Sequence, residues 1–239
     1  MHGACGSVAG WLGRWLLVGL CCVSFQAQGQ ASRNLAPGFV TRPAQARLVI
    51  VPADIELFSM SGGGVLEPRA DWTAAAVRHF QAALDAHPTL KGGNVVRLED
   101  KDLDDLADVN ALHGAVAEAI FVHHMMGIVR LPTKNDLLDW TLGDAVRPLR
   151  ERTGADYALF TWIRDTYASA ERKAAMVAMA LFGVGLVGGS QTGYASLVDL
   201  QTGQVVWFND LRRVSGDLRE AKDAAETVDV LLRSFPMAR

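Results

Sequence analysis

The sequence predicts an α/β fold (α+β-like): a mixed sheet with helices, ending in an antiparallel hairpin and a closing helix. Three observations lead there. Short β-branched runs alternate with stretches of helical periodicity, as in Arg47–Pro52 (RLVIVP) followed by Asp71–Leu84, and such alternation layers helices on a sheet. Asp156–Ile163 (DYALFTWI) is apolar on both of its faces, which marks a strand covered from two sides. Gln191–Leu200 and Gln204–Asn209 flank Thr202-Gly203, where glycine supplies the left-handed conformation that a tight hairpin turn needs.

In chain order, residues 1–31 read as a signal peptide. Arg14 is their one charged side chain, Trp15–Phe25 (WLLVGLCCVSF) is a short apolar core, and Gln26–Ala31 is a small-residue exit. That sequence of features is read by Sec-type export machinery, and the core is too short for the ~20 apolar residues of a membrane span. All three cysteines, Cys5, Cys21 and Cys22, precede Ala31, so a chain cleaved there carries no disulfide and no thiolate site. Lipidation at Cys21 or Cys22 is disfavoured, because Leu20 rather than a small residue precedes Cys21.

Residues 32–46 contain two prolines and little periodicity and are expected to be a flexible lead-in. A single α/β domain is expected over 47–235. Arg47–Pro52 is its first strand, Ser59–Gly64 (SMSGGG) a loop, and Asp71 the cap of a helix with Trp72, Ala76, Phe80, Ala83 and Leu84 on its apolar face. His87-Pro88 ends that helix, and Asn94–Leu98 is a second strand. The acidic stretch Glu99–Asp108 opens a helix with Leu103, Leu106, Val109, Leu112, Val116 and Ile120 in register; acids suit the positive end of a helix dipole. Asp136–Arg152 is expected to be helical and bent at Pro148. After the Asp156–Ile163 strand and the hairpin, Asp217 caps a last helix, with Glu220 in a capping-box position and Leu218, Ala221, Ala225, Val228, Leu232 and Phe235 as its buried stripe.

The formal net charge is −3 and the basic residues are dispersed, which excludes the basic footprint of nucleic-acid recognition. Candidate chemistry fails on spacing. Gly183-x-Gly185-x-x-Gly188 lies inside an apolar run and ahead of a strand, whereas a dinucleotide fingerprint follows a strand and opens a helix. Gly62-Gly63-Gly64 has no lysine and hydroxyl partner for phosphate. His123 and His124 are adjacent, point about 100° apart on a helix and, with His113, are assigned surface or capping roles. Asp100, Asp102, Asp104, Asp105 and Asp108 place Asp105 and Ala111 where a calcium loop requires glycine and glutamate, so they read as a solvated helix start. Ser190 lacks the setting of a nucleophile elbow. The reading assigns no catalytic, cofactor-binding or metal residue, and no cofactor.

Ala174–Gly189 (AAMVAMALFGVGLVGG) is sixteen residues without a charge. As a helix it would be about 24 Å long, short of the ~30 Å bilayer core. It is expected to be an apolar insertion between neighbouring strands, packed in the core or offered to a membrane or partner. Met176, Met179, Leu181, Phe182, Leu186 and Val187 are its candidate contact residues.

The hairpin Leu197–Trp207 (LVDLQTGQVVW) resembles two exported families. Its Asp199-x-x-Thr202-Gly203-x-x-x-Trp207 pattern is similar to the blade motif of quinoprotein β-propellers, but propellers need it several times and it occurs here once. In element order over about residues 47–235 the chain also resembles bacterial envelope α/β proteins of the curli-secretion lipoprotein and peptidoglycan-synthase activator lipoprotein group. That resemblance implies binding and assembly roles and transfers no catalytic residue. The functional expectation is an exported, non-enzymatic cell-envelope protein, periplasmic or outer-membrane-associated, that contacts an envelope protein or membrane surface and not nucleic acid, with homo-oligomer formation open. The alternative is an exported hydrolase or small-ligand binder with a site near Asp54, Glu56 or the Ser59–Gly64 loop, where open α/β sheets place ligands.

Overall fold

A sheet is organised around its longest strand. The structure, a computed structural model, describes residues 33–91 and 94–239; the signal peptide, its cleavage zone, Cys21 and Cys22 lie outside the described residues. Strand β5 (Tyr157–Ala168) pairs along one edge with two successive parallel strands, β1 (Leu48–Ile50) and β2 (Asp54–Met60). Ile50 lies opposite Leu159 and Asp54 opposite Trp162, so four steps on one strand match three on the other. Pro52, lacking an N–H, falls within that one-residue bulge. β4 (Val95–Arg97) runs parallel to β1, and β3 (Leu66–Pro68) antiparallel to β2. Along its other edge β5 is antiparallel to β6 (Gly189–Asp199), which pairs in turn with β7 (Val205–Arg213). The mixed α/β architecture and the antiparallel run of the last three strands agree with the sequence.

Alternation along β5 separates two cores. Tyr157, Leu159 and Ile163 meet α1 (Ala70–Ala86) and α5 (Ala221–Leu231), together with Trp207, Phe80, Val228 and Phe235. Ala158, Phe160 and Trp162 meet α2 (Ala107–Ile120), α3 (Arg147–Thr153) and the segment holding Leu138 and Leu142. Three layers result, with Tyr157, Ala158, Leu159 and Phe160 of β5 all out of water. At ~25 cal/mol per Å² of apolar surface, a strand covered on both faces is the strongest single contributor to such a core.

Several local expectations are corrected. Ser59 and Met60 belong to β2, and the turn begins at Ser61, where the Ser61 and Val65 backbones pair. Arg69, not Asp71, is the N-cap of α1; Asp71 sits in the first turn, and its carboxylate accepts from the Arg69 guanidinium at 3.0 Å. The acidic stretch forms two 3₁₀ turns before α2 begins. Leu112 is exposed, and the buried stripe is Val109, His113, Ala117 and Ile120. Residues 136–142 are not helical: Asn135 and Asp136 take left-handed backbone angles, and Thr141 bridges to Gln204. Pro148 stands at the start of α3, where a missing N–H costs nothing, and so opens that helix rather than bending it. Glu220, not Asp217, occupies the N-cap position of α5, without a side-chain cap bond; the helix's buried side is Ala224, Thr227, Val228 and Leu231, while Ala221 and Ala225 face water. The expected flexible lead-in is docked: Leu35 bridges to Trp207, and buried Arg42 donates from Nε to the Pro236 carbonyl at 3.0 Å.

Candidate functional site

The parallel strands β2 and β5 end at a cleft of about 960 Å³ between the start of α1, the upper β5–β6 hairpin, the base of α4 (Ala170–Ala180) and the 214–219 loop. On its floor lies Asp165, only 2% exposed. Its Oδ2 accepts from the Tyr167 hydroxyl at 2.5 Å and from Gln191 Nε2 at 2.6 Å. Gln191 Oε1 accepts in turn from Arg213 Nε at 2.7 Å and Thr227 Oγ1 at 3.2 Å, and Arg213 also donates to Thr227. The Leu218 N–H donates to the Tyr167 oxygen. Burial pushes the Asp165 carboxyl above the ordinary carboxylate range, against the pull of the Tyr167 and Gln191 hydrogen bonds. At the rim, the Arg219 side chain donates to Asp217, which holds the Asp217 carboxyl below its usual range. The Arg69 and Arg219 guanidiniums both stack on the Trp72 ring, at 4.2 and 4.4 Å. The polar groups of the floor answer one another and tie β5, β6, β7 and α5 together, which is the arrangement that makes a buried polar network stabilising.

Sequence reasoning missed Asp165. Its signal was the Arg164-Asp165 pair directly after the apolar run Asp156–Ile163, a charge where the alternation still points inward. Of the alternative-site residues, Ser59 is buried and lines this cleft. Asp54 and Glu56 have the opposite parity and meet Arg164 on the other face, at 2.7 and 3.3 Å. Ser61 spends its hydroxyl on the Val65 N–H within the β2–β3 turn.

The apolar insertion stands beside the cleft. β5 and β6 are joined through Ser169, α4 and a returning leg that ends at Gly188. The Ser169 hydroxyl caps α4 by accepting from the Arg172 N–H at 3.1 Å. Gly183, with φ +74°, ends the helix: its N–H bonds to Ala180 O, and the Val184 N–H reaches back to Met179 O. That pair of bonds is a Schellman motif, which satisfies carbonyls a helix end otherwise leaves open. No residue of α4 is buried, so core packing of the insertion is excluded. Leu181 is 83% exposed, Phe182 80% and Val187 59%, and Met179 is also exposed. Met176 and Leu186 are half-buried, Met176 packing against Gly188 at the base. The structure adds Val177 and Val184, from the same uncharged run, to this exposed set.

The histidines are not surface groups throughout. His113 is buried, with Nε2 2.6 Å from Ser196 Oγ and its ring stacked on Phe160. His124 is buried in a π-helical turn, Phe121–Met125, and its Nε2 lies 2.8 Å from the Arg33 carbonyl. Lead-in and helix end hold each other through that contact. Among the described residues no cluster of three or more histidine, cysteine or acidic side chains is placed to hold a metal.

No family model matches the chain, and no curated protein matches it. Among solved structures it is similar to the PelC dodecamer from Paraburkholderia phytofirmans, at 13% identity and a TM-score of 0.39, covering 83% of this chain and 95% of that one. Lipoprotein GNA1162 from Neisseria meningitidis is similar at 13% identity and 0.29, covering 72% and 81%. The LpoB C-terminal domain from Salmonella enterica follows at 12% identity and 0.28, covering 74% and 87%.

Proposed function

We propose that this chain is an exported, non-enzymatic protein of the cell envelope, periplasmic or associated with the outer membrane, that works by contact rather than turnover. The observation that carries this reading is the exposed apolar protrusion formed by α4 and its tip. Soluble domains seldom leave neighbouring large apolar side chains such as Val177, Leu181, Phe182 and Val187 in water without a partner for them. The leader features around Arg14 and Trp15–Phe25 support export, and the internally answered charges of the cleft floor support a rigid frame rather than a reacting set.

Fractionation of the native host tests this. The wild-type chain is expected with the envelope, and a Leu181→Asp/Phe182→Asp double variant in the soluble periplasmic fraction with an unchanged melting temperature. A double variant that stays with the envelope would overturn the proposal.

A further inference from the structure

We infer that the protrusion enters one leaflet of a lipid bilayer, with α4 and its tip in the acyl region and the basic residues at its base among anionic headgroups. The inference rests on the contact reading above and names what is contacted. The exposed run of the protrusion has no charged side. From Ala174 to Gly189 the chain carries no charge, and no residue of α4 is buried against the rest of the protein. A helix that docks in a protein groove needs one apolar face and leaves the opposite face polar. From Ala174 onward α4 is apolar all round, with Ala175 and Met176 half-buried at its base, and a bilayer encloses the exposed remainder from every side.

Charge placement points the same way. Arg172 and Lys173 precede the uncharged run directly, and Lys173 is exposed. Arg172 donates from Nε and Nη2 to the Val187 carbonyl and from Nη1 to the Gly62 carbonyl, so the outgoing and returning legs are clamped at one level. Glu171, next to these cations, is held by the Ser169 hydroxyl at the helix start, which lowers its pKa and keeps it ionised. Cations beneath an apolar tip are the arrangement that meets phosphate-bearing headgroups.

The closed helix tip and its depth agree with insertion. Hydrocarbon tolerates few unpaired amides: at the tip the N–H groups of Phe182, Gly183 and Val184 are bonded back into the last turn of α4, while those of Gly185 and Leu186 on the returning leg have no backbone partner among the described residues and require water or headgroups. At 1.5 Å per residue the rise from Ala174 to Phe182 is about 12 Å, less than half of the ~30 Å hydrocarbon core. Among the described residues no helix is long and apolar enough to cross a membrane. The geometry is that of a wedge in one leaflet.

The test is flotation of the purified, exported chain with protein-free vesicles, phosphatidylethanolamine with or without phosphatidylglycerol. The cysteines all precede Ala31, so Phe182→Cys in the exported chain gives a single thiol for an environment-sensitive fluorophore. We expect flotation with the anionic vesicles, a blue shift of the fluorophore, and quenching by acyl-chain-brominated lipid. Leu181→Asp/Phe182→Asp is expected to weaken partitioning about a hundredfold or more, and Lys173→Glu to weaken it chiefly on anionic vesicles. A chain that stays unbound, or floats without the spectral shift, overturns the inference. If it stays unbound while the double variant still leaves the envelope fraction, the contact reading stands and the occupant is a protein. If the double variant instead abolishes self-association of vesicle-free protein, the occupant is a second copy.

Discussion

His113 lies with its ring stacked on Phe160 and its Nε2 against the Ser196 hydroxyl. It is 4% exposed, and burial pushes its pKa from 6.5 down to about 3. The unfolded chain therefore binds a proton below about pH 6.5 that the folded chain refuses until near pH 3. Folding stability must fall as pH drops through that window, by as much as ~1.4 kcal/mol per pH unit from this group alone. Asp165 works in the other direction: its raised pKa makes stability fall as pH rises above the ordinary carboxylate range. Urea denaturation at pH 7 and pH 5 isolates the histidine when the wild type is compared with His113→Phe. We expect the variant to be less stable at pH 7, because Ser196 loses its partner, and to lose less on acidification. Equal acid sensitivity in both proteins would remove His113 from the account. A sequence states that a histidine is present but not which side of a helix is covered. Here the position was readable only from its spacing, four residues after Val109 and four before Ala117.

The secondary structure divides by how local its causes are. The β6–β7 hairpin was legible because its turn is written in two residues, and the structure shows why Gly203 is required there. Its φ is +74°, and a Cβ at that position would lie 2.3 Å from the Gly143 carbonyl oxygen. We expect Gly203→Ala to cost at least ~2 kcal/mol, since the left-handed angle alone costs ~1–2 kcal/mol for an L-residue. The urea midpoint should drop with an unchanged slope; a drop below ~0.5 kcal/mol would mean that the 143–203 contact yields freely. By contrast, the helix expected over 136–152 failed because its first half answers to a distant element. Trp140 O accepts from the Val205 N–H, and Leu142 N–H donates to Gly203 O. Periodicity within a window carries no trace of a bond to residues sixty positions later. β2 was missed for a similar reason, since Asp54–Met60 owes its extended form to seven residues of β5.

For the molecule as a whole, the question is whether the α4 protrusion is part of what folds or something the fold carries. An apolar run such as Ala174–Gly189 is equally consistent with a core helix and a contact helix, so its composition could not decide; only the closing of both faces of the sheet by α1, α5, α2 and α3 leaves it outside. That placement makes a quantitative expectation. Replacing residues 169–188 with a four-residue Asn-Gly turn would join β5 to β6 directly, where Tyr167 and Gly189 already pair. The excision removes no buried apolar side chain, so little hydrophobic stabilisation is lost. It does remove the Ser169–Met60 backbone bond and the Arg172–Gly62 bond, each worth about 1 kcal/mol net. Against this, shortening a connection of about twenty residues fivefold returns about 1.4 kcal/mol of loop-closure entropy. The terms nearly cancel, and we expect a melting temperature within about 5 °C of the wild type together with loss of envelope association. A loss of cooperative unfolding would instead show that the protrusion is integral to the domain, and the division between frame and contact surface would fail.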